Sequence, residues 1–369
     1  LLVQMFIAVL YIFSLIYGGL VNLKLAGYKF GVFSRKKLGC YVISLGNITV
    51  GGTGKTPTAQ LLAREIRNLG YRVVILNRGY RAKWRGEVGV VSDGKTLHMT
   101  AAEAGDEAYM LAKHLPDVPV LIGPERYQTG TYAIEHFGAE VAILDDGYQH
   151  WQLDRDMDIV LIDAVNVFGN GYMLPRGTLR EPISHIDRAD ICLLTKVDQA
   201  SETSRQYIHT VIEEENEHAL VVESVHRPRG FIELADWHAN IASEGIDVNQ
   251  MKGKRVMAVS AIGNPASFEQ TLANLGAVVV ESLRFPDHHD YTEQEMLDAA
   301  NLAVQMDAEA VVITEKDAVK VPILTRDTIV GKLGHMVPIY VVSVEVTFRD
   351  DADRILGCIH KDLKEKLGK

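Results

Sequence analysis

The segment Gly46-Asn47-Ile48-Thr49-Val50-Gly51-Gly52-Thr53-Gly54-Lys55-Thr56 constrains the fold more than any other part of the chain. The apolar run Cys40-Tyr41-Val42-Ile43-Ser44-Leu45 precedes it and has the character of a short buried strand. Residues 59–69 follow with the apolar spacing of an amphipathic helix. A strand, a glycine-rich turn, Lys-Thr and a helix, in that order, make a phosphate-binding loop. Glycines let successive backbone N–H groups curl around phosphate oxygens at the positive end of the helix. Thr49, Gly51, Gly52, Thr53 and Gly54 are the nucleotide-binding candidates, with Lys55 reaching the β/γ-phosphates and the Thr56 hydroxyl ligating Mg²⁺. Thr49 stands where the first glycine of G-x-x-x-x-G-K-[ST] usually sits, which leaves Gly51 and Gly52 to supply the flexibility. Pro57 falls in the first helical turn, where its missing N–H costs little. The bland alternative is an ordinary βα turn; a strand before it and a helix after it favour a nucleoside triphosphate site.

With 369 residues the chain has room for two compact domains. Cys40, Cys192 and Cys358 have no metal-ligand spacing, and an odd number cannot all pair internally, so a reduced, cytosolic setting is the simplest expectation. The formal net charge is −10, yet residues 1–64 carry seven Lys and Arg and no acid. The rest is therefore more acidic than the total, which does not suit a nucleic-acid partner. A basic, apolar N-terminal arm suits a membrane surface.

Residues 1–23 hold no charge and are dominated by Leu, Ile, Val, Phe and Tyr. About 20 helical residues cross a bilayer core, so the length suffices for a membrane anchor. A secretory leader would place its cations first; here they follow, at residues 24–37. By the positive-inside rule the segment 24–37 and everything after it should be cytoplasmic. Spanning and lying in one leaflet are both compatible with this pattern, and a helix tucked against the body is the alternative.

Beyond the phosphate loop, strand-length apolar runs at 72–76, 118–122, 140–144, 158–162 and 191–195 alternate with helical patterns such as 101–115 and 124–137. This predicts an α/β fold of the P-loop NTPase kind, a mostly parallel sheet with helices on both faces. Residues 79–94 read as a hairpin or loop excursion, and 166–182 as a functional loop. A second, smaller α/β set begins near Arg255, with strands at 256–260, 278–283, 310–313 and 339–344 and helices at 266–275 and 292–306. The expected organisation is an anchor at 1–23, a P-loop domain at 24–225, an irregular linker at 226–254, a second domain at 255–347 and a C-terminal helix at 348–369.

Chemistry-bearing residues gather at few places. Val141-Ala142-Ile143-Leu144-Asp145-Asp146-Gly147 is an apolar strand ending in two carboxylates, the place where a P-loop enzyme needs an acid for Mg²⁺. Either Asp145 or Asp146 suits, and a plain acidic turn is the alternative. Gly105-Asp106-Glu107 opens a helix, where acids also occur for dipole reasons alone. Asp287-His288-His289-Asp290 is dense in proton-transfer groups; adjacent histidines face apart on a regular element, which argues against a two-His metal site. Thr195-Lys196-Val197-Asp198 and Lys316-Asp317 are partial echoes of a guanine-reading N-K-x-D element.

Taken in order, G-N-I-T-V-G-G-T-G-K-T-P, N-R-G-Y, G-D-E, D-D-G-Y-Q-H, L-P-R-G-T-L-R-E-P, T-K-x-D and F-P-D-H-H resemble the tetraacyldisaccharide 4′-kinase family of lipid A biosynthesis. The resemblance runs from the apolar helix to about Lys320, and the family shares the Thr49 variation. Asn77 before Arg78, where serine is frequent, and Arg176-Gly177-Thr178 are local departures. The resemblance implies an ATP- and Mg²⁺-dependent kinase acting on the 4′-hydroxyl of a tetraacylated glucosamine disaccharide 1-phosphate at the membrane. It implies two α/β domains with the active site between them, Asp106 as catalytic base and His288 as its partner. Arg78, Arg126, Arg180 and Glu181 are then candidates for substrate or phosphate contacts. A membrane-tethered P-loop GTPase or ATPase of another class shares the loop, the acids and T-K-x-D; turnover without lipid would mark it. A non-catalytic nucleotide-gated scaffold would not need so many acids and histidines.

Overall fold

The computed structural model describes residues 2–239, 245–323, 337–349 and 352–368. The chain divides into two compact units, Leu1–His226 with Val346–Lys369, and Arg227–Glu345.

The first unit opens with α1 (Leu2–Lys29) and β1 (Tyr41–Gly46), which passes through the phosphate loop into α2 (Lys55–Asn68). Then come β2 (Val73–Asn77), β3 (Gly89–Ser92), α3 (Ala101–Ala104), α4 (Asp106–His114) and β4 (Val120–Ile122). They are followed by α5 (Arg126–Phe137), β5 (Val141–Asp145), β6 (Met157–Asp163), β7 (Ile191–Thr195) and α6 (Glu202–Glu215). The chain leaves along β8 (Leu220–Glu233). The strand order is β8-β7-β6-β1-β5-β2-β4-β3. All neighbours are parallel except β3, which closes the excursion at 79–94 by running antiparallel to β4.

Every residue of β1, β5, β6 and β7 is buried, as a parallel sheet covered on both faces requires. Alternate side chains divide between two cores. Tyr41, Ile43 and Leu45 pack with Leu62 and Ile66 of α2 and Leu111 of α4; Val42, Val74, Leu76 and Leu144 pack with Ala133 of α5. The C-terminal helix Ala352–Leu367 adds Ile355, Ile359 and Leu363 to the first core, and the Tyr41 hydroxyl donates to Asp362. At roughly 2 kcal/mol per buried aliphatic side chain, those three contribute on the order of 6 kcal/mol, as much as the net stability of many domains.

One expected helix is two. The 101–115 pattern breaks at Gly105, whose φ of +85° suits glycine, and a Cβ there would lie 2.5 Å from the Tyr80 carbonyl oxygen. The interruption makes Asp106 the first residue of α4.

Helix α1 is inverted relative to a soluble amphipathic helix. Its buried residues are Ser14 and Gly18, while Leu2, Phe6, Ile12, Phe13, Leu15 and Leu20 are exposed. Ser14 donates to the Met173 carbonyl at 2.5 Å, Tyr17 to the Arg180 carbonyl at 3.1 Å, and the Tyr11 ring meets Tyr172 edge-on. The helix is long and apolar enough to cross a membrane. The loop that receives it, 166–182, is itself tied to the phosphate loop: the Val50 amide donates to Thr178 and the Arg180 amide to Ile48.

The second unit contains α7 (Leu234–His238), β9 (Arg255–Ser260), α8 (Pro265–Asn274), β10 (Val278–Arg284) and α9 (Glu293–Gln305). After β11 (Ala310–Thr314) and α10 (Glu315–Ala318), the chain returns along β12 (Ile339–Phe348). The order β10-β9-β11-β12 is parallel throughout. Met296, Ala299 and Ala303 of α9 cover one face, and Phe268 and Leu272 of α8 the other. The stretch 226–254 carries the end of β8, α7 and a 3-10 turn at Val248–Met251, more regular structure than an irregular linker implies. Its residues 240–244, and Asp351 of the expected tail helix, lie outside the described residues.

Candidate active site

The phosphate loop is built where β1 ends and α2 begins. Gly54 is the N-cap of α2 in the left-handed conformation, φ +85° and ψ +21°. A Cβ there would come within 2.8 Å of His226 Nε2, so both backbone and space demand glycine. Lys55 and Thr56 open α2, with the helix dipole behind them. Gly51 and Gly52 are exposed, and Thr53 is buried.

Residues far along the chain hold this loop. Asn47 Nδ2 donates to Thr53 Oγ1 at 2.9 Å, and Thr195 Oγ1 donates to the Thr53 carbonyl at 2.9 Å. Lys196 donates to the Gly52 carbonyl at 2.7 Å and pairs with Asp163 at 2.6 Å, while Asp198 accepts the His226 amide at 3.3 Å. The T-K-x-D element therefore braces the loop. The second echo is likewise internal: Asp317, buried, accepts the Ala261 amide, the Tyr291 hydroxyl and the Thr314 hydroxyl at 2.8, 3.0 and 2.5 Å.

The carboxylate pair ends β5 beside the loop. Asp146 lies 3.6 Å from Lys55 Nζ and is gripped by both Arg180 amino groups, at 2.8 and 3.2 Å. Burial alone would raise Asp146, but Lys55 and Arg180 outweigh it and hold the group below the usual carboxylate range. Asp145 goes the other way. Full burial first, then the charges of Glu107 and Asp146, push it up, although Lys55 and a 2.8 Å bond from Asn77 Nδ2 oppose the shift. Its Oδ1 is buried with no hydrogen-bond partner among the described residues. A divalent oxygen-seeking cation satisfies such an atom, so Asp145, Asp146 and the Thr56 hydroxyl fit Mg²⁺.

The four candidate contact residues divide. Arg78 is exposed, on the loop after β2. Arg126 starts α5 and is buried, with Nη1 donating to the Gly123 and Pro124 carbonyls at 3.3 and 3.4 Å. Burial and the nearby Arg78 charge lower its guanidinium to about 10. Burial, then Arg126, Arg155 and Arg78, likewise depress the neighbouring His150 to about 4. Arg180 grips Asp146. Glu181 does not reach the surface: its carboxylate is 1% exposed and accepts from Arg188 at 2.6 Å, His185 at 2.8 Å and Gln149 at 2.8 Å. Its oxygens are occupied within the unit by Arg188, His185 and Gln149.

Asp106 sits in the first turn of α4, half-buried, in the first unit. His288 belongs to the second, on the turn after β10, with φ +66°. There Lys316 Nζ lies 3.5 Å from His288 Nε2 and 3.6 Å from Asp287. His289 stacks on Phe285 and pairs with Glu295 at 3.1 Å, so the adjacent histidines have different company. Sequence reasoning missed Asn47, Asn77, Gln149, Asp163 and His185. Asn47 and Gln149 lie inside motifs already noted, and that was the available signal; His185 gave none.

Comparison with known proteins accords with this geometry. Residues 6–361 match the family model described as tetraacyldisaccharide-1-P 4′-kinase. The chain is 39% identical to a tetraacyldisaccharide 4′-kinase of Halothermothrix orenii, over 94% of this chain and 91% of the relative. It is 41% identical to one of Syntrophus aciditrophicus, over 85% and 84%. Among solved structures, LpxK from Aquifex aeolicus in complex with ATP superposes with a TM-score of 0.72 at 30% identity, covering 97% of this chain and 99% of that one. A braced phosphate loop, a carboxylate pair beside it with Asp146 clamped by Arg180, and a match across nearly the whole length lead to one conclusion: the chain belongs to the tetraacyldisaccharide-1-P 4′-kinase family.

Proposed function

We propose that this kinase transfers the γ-phosphoryl group of ATP to the 4′-hydroxyl of a tetraacylated glucosamine disaccharide 1-phosphate, giving a lipid A precursor phosphorylated at both ends. The observation that carries the reading is the Lys55–Asp146–Arg180 cluster at the phosphate loop, in a chain of this family. The ATP held by the Aquifex aeolicus relative supports ATP as the donor.

Phosphoryl transfer needs positioning and charge neutralisation more than covalent chemistry. The loop N–H groups cradle the triphosphate, and Lys55 reaches the transferring phosphate. Thr56, Asp145 and Asp146 would hold Mg²⁺, which would supply charge neutralisation at the triphosphate. Arg180 keeps Asp146 ionised and oriented. Arg78 and Arg126 contribute positive charge toward the substrate's anionic groups. Asp106 accepts the proton of the sugar hydroxyl and His288 assists it, as the family resemblance implies.

The exposed apolar surface of α1 and the basic segment 24–37 support attachment to the cytoplasmic face of the inner membrane, where a lipid substrate resides. Incubation with γ-labelled ATP, Mg²⁺ and the lipid disaccharide, followed by chromatography, tests the reading. Label is expected in a product with one more phosphate; ATP turnover that is independent of lipid and labels nothing would refute it.

A further inference from the structure

Helix α1 and the phosphate loop are joined by a chain of polar contacts that the chemistry above does not use. Asn22, on α1, lies 2.8 Å through its Oδ1 from His185 Nε2. His185 is buried, and its Nδ1 donates to Glu181 Oε2 at 2.8 Å, where Arg188 donates as well. Gln149 Nε2 bridges the other Glu181 oxygen and the Asn47 carbonyl, at 2.8 Å to each. Asn47 then reaches the loop through Thr53, and Arg180 through its own Oδ1 at 3.2 Å. Tyr148 fixes the far side, donating to the His185 carbonyl at 2.5 Å.

We infer that His185 is a positioning residue for phosphoryl transfer, carrying the placement of α1 through Glu181, Gln149 and Asn47 to the phosphate loop. A buried carboxylate with several donors orients each of them, and removing one leaves the others free to find new geometry. Loss of the His185 ring unseats Glu181, so Gln149 has one fixed partner instead of two. Asn47 is then held less firmly, and it orders both Thr53 in the loop and the arginine that clamps Asp146. A small displacement of such groups is costly in phosphoryl transfer, where catalysis is mostly alignment. Spatial continuity alone does not establish coupling, so the test must measure it.

This inference rests on the kinase reading for its catalytic readout, and a second readout does not. In the full chain in detergent micelles, Asn22→Ala, His185→Ala and the double variant are compared with the unaltered protein. Asn22 is exposed, so its replacement leaves the core intact. Each single variant should lose about ten-fold in kcat with KM for ATP changed less than two-fold, a penalty in the range of modest misalignment. The double variant should be no worse than His185→Ala, because the two act through one contact. His185→Gln, which keeps an amide donor for Glu181, should recover part of the rate. Amide exchange at residues 47–56, measured without substrate, should quicken in both Ala variants. Additive losses, unaltered kcat with a lowered Tm, or unchanged loop exchange would each overturn the inference. If the unaltered chain transfers no phosphate, the kinase reading fails, and loop exchange still decides whether α1 and the loop are coupled.

Discussion

Arg180 grips Asp146 with both amino groups, while among the described residues the neighbouring Asp145 pairs with no arginine and takes a hydrogen bond from Asn77. Two adjacent carboxylates at the end of one strand are thus driven apart in character: one paired and ionised, the other buried and inclined to hold its proton until a cation arrives. Asp145 is the last residue of β5, whereas Asp146 has already left the strand with φ +55°, where its carboxylate meets Lys55 and Arg180.

That contrast predicts a stability effect. A carboxyl group whose folded pKa is raised favours the folded state below the ordinary carboxylate pKa of about 4, and this contribution is lost as pH rises from there toward neutrality. Asp145→Asn abolishes that loss. Without nucleotide and Mg²⁺, the variant should melt a few degrees above the unaltered protein at neutral pH and nearly with it at pH 4. Its kinase turnover should fall at least a hundred-fold, as expected for lost charge stabilisation at a transferring phosphate. Thermal melts across pH and steady-state rates check both halves; a lower Tm at neutral pH contradicts the assignment.

Lys55→Ala should reduce turnover by about a thousand-fold, the upper part of the range for removing one electrostatic contact to a transition state. Asp146 would also lose its nearer lysine while keeping Arg180, so the fold should survive. Circular dichroism checks the fold, and a labelled-phosphate assay checks the rate. Near-normal turnover would remove Lys55 from the site.

Asp106→Ala and His288→Ala should each lower kcat strongly, and the double variant should be little worse than the poorer single one. Groups that act as one unit give non-additive losses. ATP binding, measured separately, should persist in all three. Small additive losses would leave the nucleotide site intact and move the search for the base to Asp145 or Asp146.

Removal of residues 1–23 should weaken partition into anionic vesicles by an order of magnitude or more, given about 0.8 kcal/mol per buried methylene. Binding that persists through the cations of residues 24–37 should fall as salt rises. Co-sedimentation at two salt concentrations measures this. Equal partition of the truncated and intact chains would exclude α1 as an anchor.

The sheet was readable because its strands are apolar runs ending in glycine or acid, as in 140–144 followed by Asp145. Parallel strands buried on both faces leave that signature regardless of their neighbours. The break at Gly105 was not readable: an isolated glycine interrupts a helical pattern weakly, and the close approach of the Tyr80 carbonyl that demands it is a tertiary fact. The polar braces were hidden for the same reason. Gln149 meets Asn47, and His185 meets Asn22, across separations of 102 and 163 positions. Periodicity registers which residues are buried, and long-range pairing of polar groups has no period. Glu181 is a candidate contact by its place beside Arg180 in a motif; its burial against Arg188 and His185 emerges only when the chain is folded.

Ile355, Ile359 and Leu363 complete a core begun by Tyr41, Ile43 and Leu45, so the first unit is assembled from both ends of the described chain. A ribosome delivers these two parts in opposite order to their need. Helix α1 and the phosphate loop emerge early, while the residues that seal β1 emerge after the entire second unit has been synthesised. Until then this face of β1 is an incompletely covered apolar surface on a nascent chain, and closing it requires contacts across more than 300 positions, with Tyr41 and Asp362 separated by 321. A chain stopped ahead of residue 355 would lack the three aliphatic side chains that complete this core.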